Sequence, residues 1–150
     1  MATPKLNTLD ASWLMVESTE TPMHVGSLTI YSLPENAPAD FVKNLVAHLR
    51  ASKTFAPPFN YKLRAGALKT VLPAWVEDHK IDLDYHLRHS ALPAPGGERE
   101  LGVLVSRLHS HGLDFNRPLW EVHLIEGLEN NRFALYMKMH HSQVDGVGGM

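Results

Sequence analysis

The chain contains no cysteine, which excludes disulfides, thiolate metal sites and a cysteine nucleophile and fits a reducing compartment. No run approaches the ~20 apolar residues that span a bilayer. The first residues, Met1-Ala2-Thr3-Pro4-Lys5-Leu6, lack the apolar core of a signal peptide, so the expected location is cytoplasmic, with peripheral membrane contact left open. No basic stripe stands out against a net charge of −2, which gives no reason to expect nucleic acid. Internal repeats and low-complexity segments are also missing. What remains is a chain of 150 residues, 44% hydrophobic and 20% charged. That is the composition of one globular domain, or part of a larger one, able to bury a core. Its ten histidines are mostly scattered and read as surface residues.

In order, Asp10 is placed to cap a short helix whose apolar side holds Trp13, Leu14 and Val16. Met23 to Ser32 reads as a strand with Gly26, Leu28 and Ile30 on one face and Ser27, Thr29 and Tyr31 on the other, stopped by Pro34. Gly26 inside it marks either a bulge, the reading favoured here, or the close approach of a ligand or another backbone. Ala39 to Ser52 carries a helical stripe of Phe41, Val42, Leu45, Val46 and Leu49. Phe59 to Leu63 and Lys69 to Leu72 are short strand candidates, and the alternation of Ile81, Leu83 and Tyr85 with Asp82, Asp84 and His86 predicts an edge strand. His86 and His89 read there as solvated histidines rather than metal ligands.

The loop Pro93-Ala94-Pro95-Gly96-Gly97 precedes a second helix, Glu98 to His111, with Leu101, Leu104, Val105 and Leu108 at core spacing and Gly112 as its stop. A hairpin follows. Trp120, Val122 and Leu124 alternate with Glu121 and His123, Glu129-Asn130-Asn131 turns the chain, and Arg132 to His140 returns. The return strand sets Phe133, Leu135, Met137 and Met139 on one face, with His141 continuing it, and Ala134, Tyr136, Lys138 and His140 on the other. The two adjacent histidines therefore point in different directions. Strands mixed with two amphipathic helices predict an α/β sandwich, a mixed sheet with the helices covering one face.

The stretch His140-His141-Ser142-Gln143-Val144-Asp145-Gly146 holds the chemistry. Zinc is disfavoured: strand neighbours diverge, H-E-x-x-H is absent, and His141 with Asp145 would converge only if the segment were helical. A serine hydrolase is disfavoured too, because there is no G-x-S-x-G and the adjacency of Ser142 to a histidine does not make a hydrogen-bonded pair. A lone histidine base fits, with Asp145 holding the loop and Gly146 permitting its turn. A turn histidine with a satisfied ring fits the local pattern equally well.

The whole string matches H-H-x-x-x-D-G and resembles the CoA-dependent acyltransferase superfamily, which includes chloramphenicol acetyltransferases, condensation domains and polyketide-associated acyltransferases. More narrowly, Asp10-Ala11-Ser12-Trp13, Pro22-Met23-His24-Val25-Gly26 and Pro118-Leu119-Trp120-Glu121 are similar, in order, to segments of bacterial wax ester synthase/diacylglycerol acyltransferases. The resemblance covers all 150 residues. It implies a chloramphenicol-acetyltransferase-like N-terminal half of a two-domain enzyme, with residues 1–150 as the N-terminal acyltransferase domain. The C-terminal domain, with its Asn-Asp motif, is expected outside this chain, and the active-site tunnel is expected between the halves. The chain alone is then expected to be inactive, with an exposed apolar interdomain surface.

The resemblance assigns the general base to His141, with His140 and Gly146 as motif support and Asp145 structural through an arginine. Gly26 and Trp120 are its candidates for the substrate pocket, although Pro118-Leu119-Trp120 is structural first. It implies no metal and no bound cofactor. Acyl-CoA is the co-substrate, and a fatty alcohol or diacylglycerol accepts the acyl group without an acyl-enzyme. Contact with the inner membrane or lipid droplets is the implied peripheral association. The alternatives are an acyltransferase using carrier-protein thioesters and a non-catalytic half-domain kept for interaction.

Overall fold

The computed structural model describes residues 6–64 and 73–146, with Asp145 and Gly146 described by their backbone. Helix α1 (Thr8–Val16) leads into β1 (His24–Ser32), α2 (Phe41–Arg50) and a small pair, β2 (Tyr61–Leu63) and β3 (Trp75–Glu77). Then come α3 (Leu83–His86), β4 (Leu87–Ala91), α4 (Glu98–Ser110), β5 (Trp120–Leu128), β6 (Arg132–His140) and α5 (His141–Gly146). The main sheet has the order β1-β6-β5-β4. Its β1–β6 and β5–β6 pairs are antiparallel and β4–β5 is parallel, so the sheet is mixed as expected. Parallel neighbours cannot be joined by a tight turn, and α4 makes the connection.

The helices do not share one face. Val42 and Val46 of α2 pack with Leu87, Leu124 and Phe133. Leu101 of α4 packs with Leu92, Ile125, Leu128, Ala134 and Tyr136. Along β5 and β6, alternate residues thus enter two cores, and a strand buried on both sides needs a cover on each. The expectation of one covered face is corrected to a sheet between two helices. A third cluster joins Leu63, Trp75, Leu113 and Leu119 to Leu14 of α1, and so ties the small sheet and α1 to the end of the main sheet where β6 finishes.

Local readings are corrected at several points. The cap of α1 is Asn7, whose side chain accepts the Asp10 N–H at 2.7 Å; Asp10 itself lies in the first turn and is buried. Residues 83–86 are a helical turn, not an edge strand. Asp82 caps it, accepting the Asp84 N–H at 3.0 Å, and this local hydrogen bond outweighs the alternating pattern. The strand of that region is β4, one step later. The stop of α4 is His111, in extended backbone, so Gly112 is not needed there. The expected strand at 69–72 lies outside the described residues, while β3 was not anticipated.

Gly26 is neither a bulge nor a backbone crossing. The β1–β6 register runs unbroken through Gly26↔Lys138, and a Cβ at Gly26 would stand 2.7 Å from the Tyr136 hydroxyl. The missing side chain makes room for Tyr136, which hydrogen-bonds Nδ1 of His109 at 2.6 Å.

Candidate active site

The two histidines stand where β6 becomes α5. The His140 N–H donates to the Leu119 carbonyl at 3.0 Å and the His141 N–H to the Met23 carbonyl at 2.9 Å. The segment read as a turn is therefore helix from His141 onward, which puts His141 and Asp145 at i and i+4; the Asp145 side chain lies outside the described residues. The two histidines have different neighbours, Ser142 and Glu17 for His140 and Trp13 for His141, and the strand ends between them rather than continuing its alternation through His141.

His140 is buried, 1% exposed, and both its ring nitrogens are engaged. Nδ1 lies 3.2 Å from the Ser142 N–H and 2.7 Å from Ser142 Oγ. A backbone N–H can only donate, so Nδ1 accepts and Nε2 carries the proton. That proton faces Glu17 Oε2 at 3.2 Å. Burial lowers the His140 pKa, with Glu17 pulling the other way, and the net result favours the neutral ring. Ser142 and His140 thus form a hydrogen-bonded pair, contrary to the sequence expectation, because the helical turn folds the serine back. With Glu17 the order Ser–His–Glu resembles a hydrolase triad, but Ser142 is 0% exposed and no substrate can reach its oxygen.

His141 is half-buried. Its ring stacks on Trp13 of α1 with centroids 3.9 Å apart and planes at 22°. The same two helices expose Leu9, Met15, Val16 and Val144. Gln143 anchors α5 to the small sheet, its amide donating to the Tyr61 carbonyl at 3.0 Å.

The other candidates are placed as follows. Trp120 is buried, with its indole N–H on the Phe59 carbonyl at 2.8 Å and its ring stacked on His86 at 4.3 Å. His86 is itself buried, and its Nδ1 bonds the Trp120 carbonyl at 2.7 Å. His89 pairs with Glu126 at 2.6 Å. The reading of most histidines as surface residues holds for seven of the ten, which are exposed or half-buried. His86, solvated in the sequence reading, is corrected, and with His123 and His140 it is 1% exposed. Each has a ring partner in the core that sequence spacing does not reveal. Among the described residues no group of three or more His, Cys, Asp or Glu is placed to hold a metal.

Behind the histidines, the β5–β6 polar positions form a buried network. Glu121 Oε2 lies 3.4 Å from Lys138 Nζ and 3.1 Å from His123 Nε2, and Oε1 accepts from the Tyr85 hydroxyl at 3.2 Å. Burial pushes the Glu121 carboxyl up, but the His123 hydrogen bond and the charges of Lys138 and Arg88 outweigh it and bring the pKa down to about 2. Lys138 also donates to the Leu108 and His111 carbonyls at the end of α4.

Sequence reasoning missed Glu17 and Ser142 as partners of His140, and the stacking role of Trp13. Glu17 is 123 positions from His140 and carries no periodic signal. Only the similarity of the Asp10–Trp13 segment to a family pattern pointed toward α1.

Residues 6–150 match the wax ester synthase/diacylglycerol acyltransferase catalytic domain. A putative diacylglycerol O-acyltransferase of Mycobacterium tuberculosis is 50% identical over 97% of this chain and 29% of its own length. The O-acyltransferase WSD of Acinetobacter baylyi is 47% identical over 97% of this chain and 30% of its own. A solved wax ester synthase/diacylglycerol acyltransferase from Marinobacter aquaeolei superposes with a TM-score of 0.88 and 49% identity, covering 96% of this chain and 36% of that one. The starter condensation domain of rhizomide synthetase shares the fold at a TM-score of 0.60 and 14% identity. The chain spans about three tenths of the length of the curated relatives it matches. It belongs to the wax ester synthase/diacylglycerol acyltransferase catalytic domain family.

Proposed function

We propose that the chain carries the general base of an acyl-CoA-dependent O-acyltransferase that joins a long-chain acyl group to a fatty alcohol or diacylglycerol. The observation that carries the choice of base is the contrast between the two histidines. His140 is sealed, with both nitrogens committed to Ser142 and Glu17, whereas His141 is half-buried on an exposed apolar helix pair. In this reading His141 takes the hydroxyl proton as the alcohol oxygen attacks the thioester carbonyl. The C–S bond breaks, CoA leaves as a thiolate, and the imidazolium returns the proton to it. No acyl-enzyme is required. Asp145 supports the motif as a structural residue. Leu9, Met15, Val16 and Val144 then face the remainder of the acyl tunnel, supplied by a further domain, and contact with membrane or lipid inclusions is peripheral.

The test replaces the matching segment of the Acinetobacter baylyi relative with this chain and assays palmitoyl-CoA with hexadecanol and with dioleoylglycerol. His141→Ala is expected to lower kcat by ~10²–10⁴. Turnover within about three-fold of the parent, far short of the loss a missing base causes, would refute the assignment. The role would move to His140 if a normally folded His140→Ala protein lost turnover by ~10²–10⁴ while His141→Ala kept it.

A further inference from the structure

We infer that Glu17 is a positioning residue for acyl transfer, its carboxylate tying the end of α1 to the His140 ring and the Met23 main chain and so holding the His141 imidazole against Trp13. The inference rests on the reading of His141 as the base. Glu17 is the C-cap of α1, and its side chain is 14% exposed. One oxygen, Oε2, accepts both the Met23 N–H and the His140 Nε2–H.

Both contacts lead to His141. Met23 returns its carbonyl to the His141 N–H. The His140 ring, fixed as the Nε2–H tautomer, presents Nδ1 to Ser142 N–H and Oγ, in the first turn of α5. Trp13 stands one helical turn before Glu17 on α1 and stacks on the His141 ring. The contacts therefore close a loop: α1, Glu17, His140 and Met23, the start of α5, His141, Trp13, and back to α1. Without the acceptor, two donors lose their partner. The His140 ring then loses the acceptor that holds its Nε2 side, and the first turn of α5, which bonds to its Nδ1, is free to shift with it. Displacement of a base by about 1 Å costs up to ~10²-fold in rate. Glu17 touches none of the atoms proposed to react, so it positions and does not catalyse.

In the Acinetobacter baylyi exchange protein, Glu17→Ala is expected to lower kcat ~10- to 100-fold with the KM for palmitoyl-CoA nearly unchanged. Glu17→Gln keeps an acceptor oxygen at the same reach and is expected to restore kcat to within about three-fold of the parent. Histidine-selective 15N spectra should show His140 as the Nε2–H tautomer in the parent and in Glu17→Gln, and a shifted Nε2 resonance in Glu17→Ala, where the acceptor is lost. The inference is overturned if Glu17→Ala keeps its kcat, if KM rises instead, or if Gln is as damaging as Ala. It is also overturned if His140 in the parent carries its proton on Nδ1, a result that does not require any variant to fold. Full activity in His141→Ala would refute the base assignment and this inference with it, whereas an inactive His141→Ala beside a fully active Glu17→Ala would refute the inference alone.

Discussion

At Gly26 one absent methyl group decides whether two strands can carry a tyrosine between them. A Cβ there meets the Tyr136 hydroxyl at 2.7 Å and Cε2 at 2.9 Å, distances that side chains do not tolerate without movement. Tyr136 cannot easily move, being 2% exposed and bonded to His109. Burial, reinforced by the Glu121 charge, pushes its phenol up to about 12, so the hydroxyl keeps its proton. Gly26→Ala is expected to destabilise the fold by ~1–3 kcal/mol, the range for overpacking, in urea unfolding. Adding Tyr136→Phe should recover part of this, because the closest contact is removed; two simply additive losses would contradict the clash. The residue was legible as special but its cause was not. A glycine in a strand tells of close approach, and nothing local says whether a ligand, a backbone or a side chain approaches.

Among elements, the β5–β6 hairpin was the most legible. Alternation over Trp120–Leu124 on one side of Asn130-Asn131 and Arg132–His140 on the other sets the pairing, and the structure pairs Leu124 with Leu135 and Val122 with Met137, with a bulge between Ile125 and Leu128. The turn needs two left-handed residues, and Asn130 and Asn131 have φ of 62° and 54°, as in a type I′ turn. Asn131→Gly should be neutral or stabilising by a few tenths of a kcal/mol, and Asn131→Val should cost ~1–2 kcal/mol in thermal unfolding. Equal stability of the two variants would mean the turn is not under this constraint. Helices α2 and α4 were legible for the same reason, a stripe repeated over several turns. Which face of the sheet each one covers was not, because Glu121, His123 and Lys138 look solvent-facing until their mutual pairing is seen. The turn at residues 83–86 and the helical start at His141 also escaped, being too short for periodicity to outvote local capping. The motif named the two histidines, and only long-range contacts separate their environments.

Across the whole molecule, the buried network of Glu121, His123 and Lys138 links strand, helix and candidate site. Lys138 lies two residues before His140 on β6 and places its ammonium on the last carbonyls of α4, where a cation is favoured. Glu121 compensates that charge, and Arg88 lies 4.0 Å away. Because the folded carboxyl titrates at about 2, below its ordinary range near 4.3, the native state holds this proton less tightly than the unfolded chain does. Its contribution is therefore complete above about pH 5 and lost as pH falls through the folded value, on the order of 3 kcal/mol. Urea unfolding between pH 7 and 2 should show this loss in the parent, while Glu121→Gln, which has no carboxyl to titrate, should show a flatter curve. At pH 7 that variant leaves Lys138 buried without its counter-charge and is expected to cost ~3–5 kcal/mol. Glu121→Gln combined with Lys138→Met removes both charges and should be less damaging than the single change. If Glu121→Gln loses stability with acid as steeply as the parent, the pH dependence originates elsewhere and Glu121 is not its source. If the expectation holds, acid loosens the strand that delivers His140 and His141 before it reaches the apolar cores, because this network is the part of the sheet held by charge.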